Sequence, residues 1–209
     1  MKVGILALQG AFREHAEVVD ALGADAVLVR RPDDLASVEA IILPGGESTT
    51  IAKLLDTSEL REPLHAAIAR GLATFGTCAG LITLAKTVHD GRSDQRSLGL
   101  LDVVVRRNGY GRQNDSFETT LSVMDLTGAA FPGVFIRAPR IEAVGPGVEV
   151  RCEYNGFPVL VRQGRVWGAV FHPELSGDFR LHQQFLDQAA ETPEPRPTIF
   201  QPELRKGDA

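Results

Sequence analysis

The feature that most limits what this chain can fold into is an alternation of short apolar runs with helical spacings over its first 90 residues, punctuated by glycine-rich turns. Residues 2–8 form an apolar run closed by Gln9-Gly10, and Phe12, His15, Val18, Val19 and Leu22 then fall at helical spacing up to Gly23. The strand signal repeats at Asp25 to Val29 and at Val38 to Leu43, the second running into Pro44-Gly45-Gly46. Helical spacing returns at Ile51, Leu54 and Leu55, and again from Leu60 to Arg70. A fourth strand, Leu72 to Phe75, meets Gly76-Thr77-Cys78-Ala79-Gly80 and a helix beginning near Leu81. Strands alternating with helices in this way predict a parallel sheet covered on both faces.

The second half reads differently. Leu98 to Val105, Ser116 to Val123, Val134 to Ile136, Val148 to Cys152 and Val159 to Val170 are strand-like with short polar or glycine-containing connections, which predicts antiparallel ribbons added to the sheet. Gln163-Gly164 marks a hairpin turn, and a last amphipathic helix is expected from about Asp178 to Ala189. The expected architecture is therefore a three-layer α/β fold. Its central sheet is mostly parallel, with helices on both faces and antiparallel additions in the second half. One domain fills 1–190, and the 191–209 tail, with Pro193, Pro195, Pro197 and Pro202 among charges, cannot build a core and is expected to be flexible.

Composition narrows the function classes. A 44% hydrophobic and 23% charged chain is expected to be folded and soluble, and 22 Lys and Arg against 27 Asp and Glu argue against the broad basic surface that nucleic acid requires. No stretch approaches the ~20 apolar residues of a membrane span, and the opening residues lack the pattern of a signal peptide. A cytoplasmic protein with no membrane partner is expected. Its two cysteines, Cys78 and Cys152, lie far apart and in no CxxC pair, and no histidine sits in a metal-ligand spacing.

The chemistry concentrates in three segments. Gly76-Thr77-Cys78-Ala79-Gly80 is a cysteine version of the GxSxG elbow, in which small residues flanking the nucleophile relieve crowding at a sharp strand-to-helix turn. The helix after it favours a thiolate, and the Ala79 amide is placed to receive an oxyanion. Taken alone, the same five residues also suit a buried structural cysteine. A thiolate nucleophile benefits from a base and the base from an orienting acceptor, and Phe171-His172-Pro173-Glu174 supplies both if the segment is extended, since residues two apart then share a face. Leu43-Pro44-Gly45-Gly46-Glu47-Ser48-Thr49 ends a strand and opens a helix, where its glycine peptide could donate to the same oxyanion and Ser48 or Thr49 could cap the helix. Arg107, beside Arg106, is either a ligand for a carboxylate or a solvated charge at a strand end.

Together these segments resemble the class I (triad) glutamine amidotransferases. Leu8-Gln9-Gly10-Ala11 with Glu14-His15, Arg107-Asn108-Gly109-Tyr110-Gly111-Arg112-Gln113, Ser116-Phe117-Glu118, Phe135-Ile136-Arg137-Ala138-Pro139 and Phe171-His172-Pro173-Glu174-Leu175 narrow the likeness to the glutaminase subunits of pyridoxal 5'-phosphate synthase, over roughly residues 2–189. The resemblance implies a Cys78-His172-Glu174 triad that hydrolyses L-glutamine to L-glutamate and ammonia through a thioester. It implies a glutamine pocket lined by Gly46, Glu47, Ser48, Arg107, Ile136 and Arg137, and an oxyanion hole from Gly45, Gly46 and Ala79. It also implies a barrel-shaped synthase partner that takes up the ammonia, with Gln9 and the Gly45-Gly46 peptide near a change that completes the oxyanion hole on docking. No cofactor or metal is implied for this chain, pyridoxal 5'-phosphate being the product of the complex. Competing expectations are a glutaminase serving another amidotransferase complex, a stand-alone cysteine hydrolase, and a catalytically silent scaffold.

Overall fold

The structure, a computed structural model, describes residues 1–92, 94–107, 109 and 116–191. Its first strands and helices match the alternation in the sequence: β1 (Lys2–Leu6), α1 (Phe12–Ala21), β2 (Asp25–Val29), β3 (Ala40–Leu43), α2 (Ser48–Thr57), α3 (Arg61–Ala69), β4 (Ala73–Thr77) and α4 (Ala79–Leu84). Next come β5 (Ala85–His89), β6 (Leu101–Arg106), β7 (Phe117–Leu121), β8 (Phe131–Phe135), β9 (Arg140–Val144), β10 (Glu149–Tyr154), β11 (Phe157–Gln163), β12 (Val166–Ala169) and α5 (Arg180–Ala190).

Seven strands form one sheet in the order β10-β11-β12-β4-β3-β1-β2. From β12 to β2 every pairing is parallel, while β11 and β10 join antiparallel at one edge through the hairpin at Gln163-Gly164. The remaining second-half strands do not extend this sheet. They build two small sheets of their own, β5-β6-β9 and β7-β8, which correct the expectation that all the ribbons would be added to one sheet. β5 and β9 carry no strand signal in the sequence; β5 is mostly exposed, so apolar alternation does not reveal it. The 191–209 tail lies beyond α5, with residues 192–209 outside the described residues.

Strand alternation sorts the side chains between the two helical layers. On β4, Phe75 packs against His182 and Phe185 of α5 at ring distances of 6.0 and 5.5 Å, and Trp167 of β12 joins them at 6.3 Å. Gly76, the next residue, faces the other way onto Leu84 and Gly80 of α4. This alternation places α1 and α5 on one face of the sheet and α4 on the other. Phe75, Trp167, Phe171 and Phe185 are fully enclosed, which anchors β4 and β12 as a rigid pair beneath the catalytic candidates.

α4 begins at Ala79, directly at the elbow and two residues earlier than the spacing of apolar residues indicates. The two glycines of the elbow explain how. A Cβ on Gly76 would strike the backbone of Gly80, and one on Gly80 would overlap the Leu43 carbonyl at the end of β3. The helix can start this early only because it seats against backbone. Among the described residues no helix is long and apolar enough to cross a membrane.

Gly80→Ala is therefore expected to lower stability by about 1–3 kcal/mol through overpacking against backbone that cannot yield. Thermal unfolding of the purified variant checks this, and an unchanged melting temperature would contradict it.

Candidate active site

Four parallel strands deliver the candidate residues to one edge of the sheet. The carboxyl ends of β1, β3, β4 and β12 lead into Gln9, Gly45 to Glu47, Cys78 and His172 respectively, the edge at which parallel sheets of this kind place their sites. Cys78 sits at φ 48°, ψ −103°, in a region an L-residue avoids. Its amide donates to Ala169 O at 2.8 Å, so β12 helps hold the strained turn. Strain of this kind gathers at functional sites, and a cysteine that merely packs has no need of it, so the turn fits the nucleophile reading of the elbow better than the structural one.

His172 is fixed from both sides. Its amide donates to Val134 O of β8 at 2.8 Å, and its Nδ1 lies 2.7 Å from Glu174 Oε1. The segment between them is not the extended one that the residue spacing predicts. Pro173–Leu175 forms a single 3-10 turn, and the turn, not a shared strand face, brings the carboxylate under the ring. His172 and Glu174 are both buried. Burial works to lower the His172 pKa, but hydrogen bonds to Cys78 and Glu174 and the charges on both outweigh it, raising the value to about 10. Burial likewise works to raise the Glu174 carboxyl, and His15, then His172, overcomes this and holds it below its ordinary range.

A cavity of about 240 Å³ opens over these residues, lined by Gly45, Gly46, Glu47, Ser48, Cys78, Ala79, Arg107, Ile136, Arg137 and His172 among others. Every residue expected in the glutamine pocket thus reaches one space. Ile136 O approaches Cys78 Sγ at 3.9 Å, and Arg137, at φ 46°, turns the chain beside it. Arg106 and Arg107 take different partners. Arg106 pairs with Glu142 at 2.5 Å and Asp90 at 2.6 Å, whereas Arg107 bonds Glu47 Oε1 at 3.2 Å and Gln95 at 3.2 Å. Arg107 is accordingly part of the site rather than a solvated strand-end charge.

Glu47, not Ser48 or Thr49, caps α2. Its carboxylate accepts from the Thr49 amide at 3.1 Å, the Thr50 amide at 2.6 Å and both threonine hydroxyls. Burial tends to raise its pKa, and the threonine hydrogen bonds prevail and bring it down to about 2. The cap frees Ser48, whose Oγ is buried with no hydrogen-bond partner among the described residues, an arrangement that a buried hydroxyl tolerates poorly without a ligand. Gln9 Oε1 accepts from the Glu47 amide at 2.6 Å and lies against Gly46, where any side chain would strike it.

One expected oxyanion donor is already engaged. The Gly45 amide donates to Thr77 Oγ1 at 3.1 Å, so Gly46 and Ala79 remain as the donors of that set. Three residues were missed by sequence reasoning: Thr77, His15 and His182. His15 and His182 are wholly buried, His15 Nε2 lying 3.3 Å from Glu174 Oε2. A signal for them was present, since each occupies an apolar helical stripe, and a polar group there must find a polar partner. Cys78 and Cys152 are both free thiols, and burial first of all pushes the Cys152 thiol up to about 11.

Comparison with known proteins points to one family and one fold. The model of the SNO glutamine amidotransferase family matches residues 5–191. Pyridoxal 5'-phosphate synthase subunit PdxT of Frankia alni is 54% identical over 186 residues, covering 89% of this chain and 94% of that one. The protein of the same name from Leifsonia xyli subsp. xyli is 55% identical over 186 residues, covering 88% and 94%. A crystal structure described as a glutamine amidotransferase superposes with a TM-score of 0.84 at 49% identity, covering 90% of this chain and 98% of that one. The structure of PurLQS from Thermotoga maritima, at 18% identity and a TM-score of 0.62 over 89% of this chain and 97% of that one, shares the fold alone.

The raised pKa of His172 carries a sign that can be checked. A folded value above the ordinary 6.5 means that its charged form contributes stability fully below 6.5, and that this is lost as pH rises through about 10. Glu174→Gln removes one of the groups that raises it. Histidine NMR titration is expected to show His172 losing its proton at lower pH in that variant than in the wild type, and coincident titrations would contradict the assignment.

Proposed function

This chain belongs to the SNO glutamine amidotransferase family, and we infer that it is the glutaminase subunit of a pyridoxal 5'-phosphate synthase. It hydrolyses L-glutamine to L-glutamate and ammonia and supplies the ammonia to a synthase subunit. The observation that carries the residue roles is the strained Cys78 elbow, facing the same cavity as a His172 that Glu174 holds in hydrogen-bond contact.

The geometry supports a definite order of steps. Glutamine enters with its α-carboxylate toward Arg107 and Arg137, whose guanidinium groups suit a carboxylate. Its ammonium group lies toward the Glu47 carboxylate, which stays ionised because its threonine partners hold it so. The unpartnered Ser48 hydroxyl and the Ile136 carbonyl complete the polar lining. Cys78 Sγ, as thiolate paired with protonated His172, attacks the side-chain amide carbon. The carbonyl oxygen gains negative charge and is received by the Gly46 and Ala79 amides. His172 gives its proton to the amide nitrogen, the C–N bond breaks, and ammonia leaves behind a thioester. His172, now neutral, takes a proton from water, whose oxygen attacks the thioester carbon and releases glutamate with the thiolate restored. Glu174 holds the His172 ring through both steps.

The thiolate, the imidazole and water supply every electron pair and proton, so the reading needs no resident cofactor or metal. It extends to a cytoplasmic enzyme with a barrel-shaped synthase partner, and to neither nucleic acid nor membrane as a partner. Released ammonia is wasted unless an acceptor is close, which gives a physical reason for coupling activity to docking at Gln9 and the Gly45-Gly46 peptide.

Glutamate release by the chain mixed with a synthase subunit tests this reading. Wild type is expected to be active in the mixture and weak alone, and Cys78→Ala to lose about 10⁴-fold or more. No release from the wild-type mixture would overturn the assignment. Arg107→Leu is expected to raise the glutamine KM about 10- to 100-fold, the size of one lost charge-assisted hydrogen bond, with a smaller change in kcat.

A further inference from the structure

We propose that His15 of α1, backed by His182 of α5, is a positioning residue for the reaction: it holds the second carboxylate oxygen of Glu174 so that the first stays on His172. The proposal rests on the reading of Glu174 as the group that orients His172. A buried carboxylate that orients a base must itself be held, because a free rotation about its last bond would carry the accepting oxygen away. Glu174 Oε1 is committed to His172 Nδ1 at 2.7 Å. Oε2 is enclosed, and among the described residues it has no hydrogen-bond partner of good alignment. The group facing it is His15 Nε2, at 3.3 Å.

His15 is itself fixed in a way that decides which nitrogen carries its proton. Its Nδ1 lies 3.0 Å from His182 Nε2, and its Nε2 lies 3.1 Å from Thr77 Oγ1 as well as facing Glu174. His182 Nδ1 is buried with no partner among the described residues. If His182 carried its proton on Nδ1, a donor would be buried unmet, and His15 would have to point a bare nitrogen at the Glu174 carboxylate. The opposite arrangement satisfies the chain: His182 Nε2–H donates to His15 Nδ1, and His15 Nε2–H is shared between Thr77 Oγ1 and Glu174 Oε2. Only an acceptor, His182 Nδ1, is then left unmet. Thr77 Oγ1 also accepts from the Gly45 amide, so the same hydroxyl ties this chain of groups to the loop that carries the oxyanion donors.

The charges around the carboxylate agree. The ionisable groups near it are His15 and Glu14 from α1, His182 from α5, His172 from its own turn, and Cys78 through His172. Burial lowers the pKa of His15, and burial together with His15 lowers that of His182 to about 3, so both rings are neutral donors near neutral pH. Among the groups that hold Glu174 below its ordinary range against its burial, His15 comes first, through the positive charge its ring carries when it is protonated in acid. Loss of that ring, its charge in acid and its N–H near neutral pH, leaves burial less opposed and the carboxyl easier to protonate, which moves the acid limb of activity to higher pH.

Two amide substitutions separate positioning from packing, because an Asn amide can stand in for Nδ1 of a histidine and a Gln amide for Nε2. In the complex with a synthase subunit, His15→Asn keeps a group for His182 but withdraws the donor from Glu174. It is expected to lower kcat about tenfold or more with the glutamine KM within about twofold, and to shift the acid limb of kcat/KM to higher pH. His15→Gln keeps a donor within reach of Glu174 and is expected to recover kcat to within about threefold of wild type. Equal behaviour of the two variants, whether both active or both impaired, would overturn the proposal. Should the variants fail to fold, nitrogen-15 histidine spectra of the wild-type chain still decide it. A neutral His15 protonated on Nε2 is expected at neutral pH, and a proton on Nδ1 would overturn it. A wild-type complex that releases no glutamate refutes the glutaminase reading itself, whereas an active wild type with an equally active His15→Asn refutes only the role of His15.

Discussion

Cys78 is held at φ 48°, ψ −103°, a conformation costing of the order of 1–3 kcal/mol that persists only where its surroundings enforce it. The enforcement comes from backbone. The Cys78 amide is bonded to Ala169 O of β12, Gly76 and Gly80 touch across the turn, and Gly80 rests on the Leu43 carbonyl of β3. The same three contacts define the site, because β3 and β12 are the neighbours of β4 in the sheet. The segments that leave the carboxyl ends of β3 and β12 must therefore arrive beside the thiol, and these segments carry the Gly45-Gly46 peptide and His172. One strained residue and the order of three parallel strands thus bring together the residues proposed as nucleophile, oxyanion donors and base.

The electrostatics of the site oppose its burial. His172 and Glu174 are 7% and 6% exposed, and an isolated ionisable group so enclosed would become neutral. Neither is isolated. Each sits between partners of complementary character, in a line that runs from the Cys78 thiol through His172 and Glu174 to His15 and His182 in the core under Phe75. Charge is concentrated at the cavity end of the line, and the neutral rings at the buried end supply hydrogen bonds without further charge. Glu47 obeys the same logic at the cavity rim, where the first turn of α2 keeps it ionised and leaves it facing Arg107.

Much of this was legible in the sequence, and the gaps have physical causes. The parallel half of the fold could be read because buried parallel strands are continuous apolar runs closed by glycine turns. The small sheets could not, because β5 and β9 pair with β6 through half-exposed strands that carry no alternation. The proposed triad was visible as residue types at strand ends, but its local shape was not: spacing suggests an extended His172-Pro173-Glu174, and Pro173 instead opens a 3-10 turn. Gly45 is equivalent to Gly46 as an oxyanion donor in the sequence, and only the fold shows Thr77 Oγ1 occupying its amide. His15 and His182 are 167 positions apart, and only the packing of α1 and α5 on one face of the sheet brings them together. Part of the RNGYGRQ segment lies outside the described residues, so of its seven positions Arg107 and Gly109 alone are placed.

The central claim is that Cys78 attacks the side-chain carbonyl of glutamine. An electrophilic glutamine analogue carrying a diazoketone at the position of the side-chain amide tests it most directly, since it is attacked by the same nucleophile and leaves a permanent bond. Peptide mass spectrometry of the treated complex should find the adduct on Cys78, absent from buried Cys152, and suppressed by excess L-glutamine. Loss of glutaminase activity with no adduct on Cys78, or with the adduct on another residue, would contradict the account.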